Sequence, residues 1–213
     1  MKAVIFDMDG TLVDSEALAF RAAEDGLRVY WRKRGLEPSI PSRAEIRTLV
    51  GLPSLEYFGR LLPPDRRDDA AEVRTLVAGE EVRRLAAGEG RLYPGVAGTL
   101  AELRARGWKL GLVSNCGRVY FNANLAHLRL RDFLDVAFCL DDKPSKSENV
   151  RAVLERFGAR GGFMVGDRRA DLDAGRENGL QTVGCTYGFG GVEELAGADF
   201  RVAHVNELLK LID

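Results

Sequence analysis

The sequence lacks a strong charge of either sign, long apolar runs and any regular arrangement of cysteines. Its 31 basic residues nearly balance its 32 acidic ones, which argues against a surface for nucleic acid or anionic lipid. No apolar run reaches transmembrane length, and the first residues lead directly into an apolar strand, so we expect no signal peptide. Cys116, Cys139 and Cys185 are scattered, which fits a reducing compartment better than a disulfide framework. We therefore expect a cytoplasmic protein with neither nucleic acid nor a membrane as a partner.

The overall amino-acid composition is that of an ordinary globular protein. At 213 residues and 46% hydrophobic content, the chain can form one buried core and a small insert. From residue 92 onward helical and strand-like segments alternate, which predicts a parallel sheet with helices on both faces. Between residues 16 and 91 the pattern is helical throughout. We predict an α/β fold with a Rossmann-like, doubly wound parallel sheet (residues 1–15 and 92–213) and an all-helical cap (residues 16–91) that roofs the site.

Hydrophobic periodicity also predicts the individual elements. Strands are expected at residues 3–6, 109–113, 136–140, 162–165 and 181–185. Helices are expected at residues 17–31, 43–50, 55–62, 65–87, 96–106, 119–128, 147–157, 170–178 and from 206 onward. The helical insert therefore separates the first predicted strand from the others.

A cluster of carboxylates follows the first predicted strand. Asp7, Asp9 and Asp14 lie close together, with a turn at Gly10 and Thr11 between them. Asp7 and Asp9 are two residues apart and can point toward one pocket at the carboxyl edge of the sheet, where open α/β folds place their sites. Carboxylates so close repel each other unless a cation or a shared proton neutralises them. The pattern favours a divalent metal with oxygen ligands, although an ordinary strand followed by an Asp/Gly turn remains open.

Polar residues also follow two other predicted strands. Ser114 and Asn115 can form an anion site with the amides of a helix N-terminus, although the same residue types are common helix caps. Asp167 and Asp171 have a spacing that places both on one side of a helix. The alternative for this pair is helix capping and a favourable interaction with the helix dipole.

Two lysines follow the strand predicted at residues 136–140. A cation at this edge would neutralise a phosphate and the nucleophile that attacks it. Lys146 begins the following helix, whereas Lys143 precedes a proline. Loop lysines are usually solvated, and the sequence does not decide between these two, although we favour Lys146.

Taken together, these segments resemble the four motifs of the haloacid dehalogenase-like hydrolase superfamily, most of whose members are Mg²⁺-dependent phosphatases. The N-terminal string VIFDMDGTLVDS carries the first motif, and the three later strand ends supply the others in order. The similarity covers nearly the whole chain, including YPGV at 93–96 and TVGCTYGFG at 182–190. The insert, with RTLVGLPSLEYFGRL at 47–61, is similar to the small α-helical cap of the phosphoglycolate phosphatase-like branch.

The resemblance implies a role for each candidate residue. Asp7 would attack the phosphorus atom to form an aspartyl-phosphate, and Asp9 would protonate the leaving oxygen and later activate water. Mg²⁺ would be bound by the Asp7 carboxylate, the Asp9 backbone carbonyl and Asp167, with support from Asp171. The phosphoryl group would be held by the lysine and by Gly10, Thr11, Ser114 and Asn115.

The predicted function is therefore Mg²⁺-dependent hydrolysis of a small phosphorylated metabolite, a phosphoglycolate-like phosphomonoester. Asp9 argues against a dehalogenase, which commonly carries tyrosine there. Lys33, the only cap lysine, fits a surface position better than the Schiff-base lysine of a phosphonatase. A phosphosugar mutase and a non-catalytic phosphate-binding regulatory module remain alternatives. Arg47 and the turn at residues 51–53 are the predicted specificity loop, but nothing in the sequence selects one substrate.

Overall fold

The computed structural model describes residues 2–212, which contain a six-stranded parallel sheet. The strands are β1 (Ala3–Phe6), β2 (Lys109–Ser114), β3 (Val136–Cys139), β4 (Gly162–Gly166), β5 (Gln181–Cys185) and β6 (Phe200–Val202). Their order across the sheet is β3-β2-β1-β4-β5-β6. In the centre, Phe6 of β1 pairs with Leu112 of β2 and Val165 of β4. The predicted parallel α/β fold is confirmed.

Helices cover the sheet and also form the insert. They are α1 (Glu16–Lys33), α2 (Arg43–Leu49), α3 (Ser54–Arg60), α4 (Ala70–Ala86), α5 (Val96–Ala105), α6 (Arg118–His127), α7 (Lys146–Phe157), α8 (Arg169–Glu177) and α9 (Leu208–Leu211). No described helix combines the length and the apolar character that a bilayer crossing requires. Met1 and Asp213, at the two ends of the predicted core, lie outside the described residues.

Burial on both faces explains why β1 is apolar throughout. Val4 and Phe6 belong to an apolar cluster that includes α5, α6 and α9, whereas Ala3 and Ile5 pack with α7 and α8 on the other face. A strand covered on both sides has no solvent face, so the polar residues that would give an alternating pattern are missing. Each large side chain buried here stabilises the fold by about 1.5–3 kcal/mol. This central, fully buried strand holds the residues that follow it in a fixed position.

Helices α1–α4 share an apolar cluster, which includes Leu27, Ile46 and Leu61 and also Phe189 from the loop after β5. Gly26 allows α1 to approach α4, because a Cβ at this position would overlap Val77. The two connections to the sheet are paired, since the Asp14 amide donates to the Arg91 carbonyl at 3.0 Å. The separate cluster supports a division into a core and a cap at residues 15/16 and 91/92, which stays a prediction.

Several elements differ from the sequence prediction, among them a 3₁₀ segment at Leu130–Asp132 that was not predicted. The helix predicted at residues 65–87 consists of a 3₁₀ segment (Pro64–Asp69) and α4, as is common where a helix begins after prolines. The final helix likewise begins with a 3₁₀ turn (Val205–Glu207). Strand β6 was not predicted, because three residues are too few for a periodic pattern to be visible.

Candidate active site

Strand ends bring the predicted residues to one edge of the sheet. Asp7 directly follows β1, Ser114 ends β2, and Asp167 follows β4. Lys146 is the first residue of α7, which follows β3, and its Nζ lies 2.5 Å from Asp7 Oδ1. Since these strands are parallel, their carboxyl ends meet at the same edge. Residues that are distant in sequence thus form one buried cluster.

Three carboxylates make up the negative part of this cluster. Asp7, Asp167 and Asp171 are buried, and one oxygen from each lies within 4.8 Å of the others. Lys146 Nζ also lies 2.5 Å from Asp171 Oδ1. One ammonium group among three carboxylates leaves two negative charges uncompensated. A divalent cation would neutralise them, and oxygen donors of this kind suit Mg²⁺, so the residues present fit a divalent metal.

Burial makes this charge imbalance costly. Burial raises the pKa of Asp7 well above its ordinary value, although Lys146 acts in the opposite direction. The neighbouring carboxylates of Asp171 and Asp167 raise this pKa further. Burial and the nearby Asp171 raise the pKa of Asp167 to about 7. Bound cations reverse this effect, because they stabilise the ionised carboxylates. The cluster is therefore most stable with a cation present.

Hydrogen bonds from the turn after β1 fix the orientation of Asp167. Thr11 Oγ1 donates to Asp167 Oδ1 at 3.1 Å, and the Phe189 amide donates to Oδ2 at 2.7 Å. Gly10 has a φ of 82°, and a Cβ there would overlap the Asp167 carboxylate. The sequence predicted Gly10 and Thr11 as phosphate-binding residues, and the structure adds that both allow Asp167 to approach β1.

The structure separates the two candidate lysines. Lys146 is 8% exposed and contacts Asp7 and Asp171. Lys143 is exposed and borders a shallow surface depression with Glu148 and Arg151. Of the two, only Lys146 belongs to the cluster.

If the site has the predicted phosphatase activity, we expect Lys146→Met to lower kcat by at least about 100-fold, because Asp7 loses its positive partner. Lys143→Met is the matched control, for which we expect less than about twofold change. Steady-state phosphate release measures both. Equal losses in the two variants would contradict the assignment of Lys146.

Asp9 lies apart from the three carboxylates and faces a cavity. The Tyr120 hydroxyl donates to Asp9 Oδ1 at 2.7 Å. Burial raises the pKa of Asp9, and the hydrogen bond from Tyr120 partly opposes this increase. A carboxyl group that holds its proton more tightly than usual is suited to general acid catalysis.

The cavity has a volume of about 320 Å³ and is lined by both the core and the helical insert. Asp7 and Asp9 lie in its wall together with Ser114 and Asn115. The Asn115 side-chain amide donates to the Gly51 carbonyl at 3.0 Å, so the residue that follows β2 is hydrogen-bonded to the insert. Gly51 and Leu52, from the predicted specificity loop, also line the cavity.

Arg47 does not line the cavity, although the sequence suggested it as a substrate-binding residue. Its guanidinium donates to Glu16 Oε2 at 2.5 Å and to the Gly188 carbonyl at 2.9 Å. It also lies over the Phe189 ring, 5.2 Å from the ring centroid. In this structure Arg47 joins α2 to α1 and to the loop that holds Asp167.

The side chains in the cavity wall that sequence reasoning missed include Tyr57, Glu81 and Tyr120. The periodicity of α4 contained a clue to one of them. The buried positions of this helix are Val73, Val77, Glu81 and Leu85, so a carboxylate occupies an otherwise apolar row. No comparable pattern marks the two tyrosines, because aromatic residues at helical spacing are normal core residues.

Comparisons with known proteins place the chain in a family. A family model described as "haloacid dehalogenase-like hydrolase" matches residues 1–179. Phosphoglycolate phosphatase of Escherichia coli is 32% identical over 236 residues, covering 98% of this chain and 91% of that protein. Pyrophosphatase PpaX of Bacillus pumilus is 30% identical over 220 residues, covering 100% and 96%. The solved structure of a "predicted phosphoglycolate phosphatase" from Haemophilus somnus superposes with a TM-score of 0.86 at 21% identity, covering 100% of this chain and 98% of the other.

Proposed function

The chain belongs to the haloacid dehalogenase-like hydrolase family, and we propose that it hydrolyses a small phosphomonoester with Asp7 as the nucleophile and Mg²⁺ as the metal. The observation that carries the proposal is the buried cluster of Asp7, Asp167, Asp171 and Lys146, of which Asp7 lies in the wall of a cavity large enough for a small metabolite. Phosphoglycolate, which the names of several relatives give as substrate, is the reference compound of this class.

In the first step, an Asp7 oxygen would attack phosphorus, which forms the aspartyl-phosphate and breaks the bond to the leaving oxygen. Lys146 holds the attacking carboxylate through Oδ1. Asp9 would donate its proton to the leaving oxygen, and the Tyr120 hydroxyl keeps its side chain in place. Mg²⁺, held by the Asp7 and Asp167 carboxylates and the Asp9 backbone carbonyl with support from Asp171, would neutralise negative charge on the phosphoryl oxygens.

In the second step, Asp9 would remove a proton from water as the water attacks the phosphorus atom of the intermediate. This releases phosphate, restores the Asp7 carboxylate and leaves Asp9 protonated for the next cycle. Ser114 and Asn115, both buried at the end of β2, are proposed to hold the phosphoryl oxygens in both steps.

The direct test is a panel of phosphorylated metabolites, assayed for phosphate release with Mg²⁺ and with EDTA. We expect release that depends on Mg²⁺ and is abolished by EDTA. Transfer of phosphate between positions of a sugar without release would favour the mutase. No turnover, together with tight phosphate binding, would favour the regulatory module. The cytoplasmic location and the lack of nucleic-acid or membrane partners stay predictions.

Metal binding can be measured independently of turnover. We expect saturating Mg²⁺ to raise the Tm of EDTA-treated protein by about 5–10 °C, as for a ligand at 100 times its Kd on a domain of this size. Asp167→Asn should lose most of this increase, because a carboxylate ligand is removed from the cluster. Asp173→Asn, an exposed position on α8, is the control and should keep it. An equal increase in both variants would place the metal elsewhere.

A further inference from the structure

The loop after β5 packs tightly around Asp167, which is proposed to bind the metal. The Phe189 amide donates to Asp167 Oδ2 at 2.7 Å. A Cβ at Gly188 would overlap the Asp167 side chain, and a Cβ at Gly190 would overlap the Asp167 carbonyl oxygen. Hydrogen bonds of this kind orient a carboxylate ligand, and their loss weakens metal binding. The position of residues 188–190 therefore determines how Asp167 is presented to a metal.

The side chain of Phe189 packs with the helical insert. Its ring is 8% exposed and belongs to the apolar cluster of α1–α4, which includes Leu27 and Ile46. A single residue thus holds Asp167 through its backbone amide and contacts the insert through its ring. Because a closely packed ring cannot stay in place when its neighbours move, a displacement of the insert would also disturb the amide that orients Asp167.

Arg47 of α2 contacts the same loop from the insert. Its guanidinium donates to the Gly188 carbonyl at 2.9 Å and lies over the Phe189 ring, 5.2 Å from the ring centroid. A hydrogen bond from a charged donor is stronger than one between neutral groups, and the ring adds a cation–π attraction. Arg47 therefore holds the two loop residues that pack against Asp167.

A second arginine connects the metal site to the insert in the opposite direction. Arg168 follows Asp167 in the chain, and its guanidinium donates to the Thr48 carbonyl at 3.3 Å. Gly51 has a φ of 96°, and a Cβ there would lie 2.9 Å from Arg168 Cγ. Glu194 fixes the same guanidinium at 3.1 Å. The insert thus contacts the chain directly after Asp167 as well as the loop that packs against it.

We propose that Arg47 and Phe189 couple the position of the helical insert to metal binding, so that Asp167 is oriented for Mg²⁺ only while the insert is seated on the loop after β5. Arg47 is then a positioning residue for the metal site. The inference rests on the metal of the proposed function and is independent of the substrate. Because coupling between two sites is reciprocal, Mg²⁺ must in turn favour the seated insert.

The first test measures metal affinity without any substrate. EDTA-treated protein is titrated with MgCl₂ in a calorimeter. We expect Arg47→Met, which keeps the apolar stem and removes the guanidinium, to raise the Kd for Mg²⁺ by about tenfold. Arg43→Met, at an exposed position on the same helix, is the matched control and should change the Kd by less than about twofold.

An unchanged Kd in Arg47→Met would overturn the inference and leave the proposed function intact. If the wild-type protein bound no Mg²⁺, the proposed metal site itself would fail, and this inference with it. The double variant Arg47→Met/Phe189→Leu tests whether both residues act through one loop. We expect it to raise the Kd by clearly less than the product of the two single effects. Full additivity would contradict the shared route.

Hydrogen exchange tests the reciprocal effect. The Ser54 amide donates to the Asn115 carbonyl at 3.2 Å, across the boundary between insert and core. We expect saturating Mg²⁺ to slow exchange of this amide by at least about fivefold in the wild-type protein and by less in Arg47→Met. Exchange that does not respond to Mg²⁺ in the wild-type protein would overturn the inference.

Thermal unfolding separates positioning from a purely structural role. In EDTA, we expect the Tm of Arg47→Met to lie within about 3 °C of the wild-type value, because the apolar cluster of the insert is kept. In saturating Mg²⁺, the variant should gain a smaller increase in Tm than the wild-type protein. An equal decrease with and without Mg²⁺ would show that Arg47 only stabilises the fold, and it would contradict the proposal.

Discussion

Replacing Asp7 with asparagine is expected to lower kcat for every phosphomonoester by at least about 10⁴-fold. The amide is a poor nucleophile, so no aspartyl-phosphate forms. Lys146 keeps a carboxylate partner in Asp171, and we therefore expect the variant to remain folded. Phosphate release under saturating Mg²⁺, together with a thermal unfolding curve, measures both effects.

Asp14→Asn is the matched control, because Asp14 belongs to the same acidic segment. Its carboxylate lies 2.7 Å from Arg91 and outside the buried cluster. We expect activity to change by less than about twofold, since a part-exposed ion pair contributes little. If Asp7→Asn retained activity comparable to this control, the nucleophile would have to be another residue.

Replacing Asp9 with asparagine is expected to separate the two chemical steps. With p-nitrophenyl phosphate, whose leaving group needs no proton, we expect a burst of about one equivalent of nitrophenolate per protein molecule, because the first step proceeds without an acid. The second step lacks its base, so steady-state turnover should fall by about 10²–10³-fold. Rapid-mixing absorbance measurements resolve the two phases.

An alkyl phosphate provides the internal control for this prediction. Its leaving oxygen requires a proton, so Asp9→Asn should show no burst of alcohol release with that substrate. A burst of equal size with both substrates would remove Asp9 as the acid. The absence of a burst with the nitrophenyl ester would mean that Asp9 is required for a different reason, such as the position of Asp7.

The sequence indicates that Asp7 and Asp167 share one sheet edge, because each directly follows a strand. An apolar strand that ends in Asp7 and another that ends before Asp167 must deliver both carboxylates to one sheet edge if the strands are parallel. The preference for Lys146 over Lys143 also agrees with the structure, since the first residue of α7 points back to the strand ends. The positions of these residues follow from the parallel topology of the sheet, which the alternation of strands and helices in the sequence indicates.

The cavity wall could not be predicted in the same way. Tyr120 contacts Asp9, and Glu81 lies nearby, only because α6 and α4 pack against each other between core and insert. Arg47 was expected to bind substrate, but its contacts with Glu16 and Gly188 depend on how the insert folds over the loop after β5. Sequence periodicity indicates which face of a helix is buried, but it does not indicate which element packs against that face.

The most direct test of the proposed mechanism is chemical identification of the intermediate. Asp9→Asn protein is mixed with substrate and Mg²⁺, then treated with borohydride, which reduces an aspartyl-phosphate to homoserine, and the peptides are sequenced by mass spectrometry. The mechanism predicts homoserine at position 7, and none when Mg²⁺ is replaced by EDTA. Unmodified Asp7 under conditions where the burst is complete would contradict it.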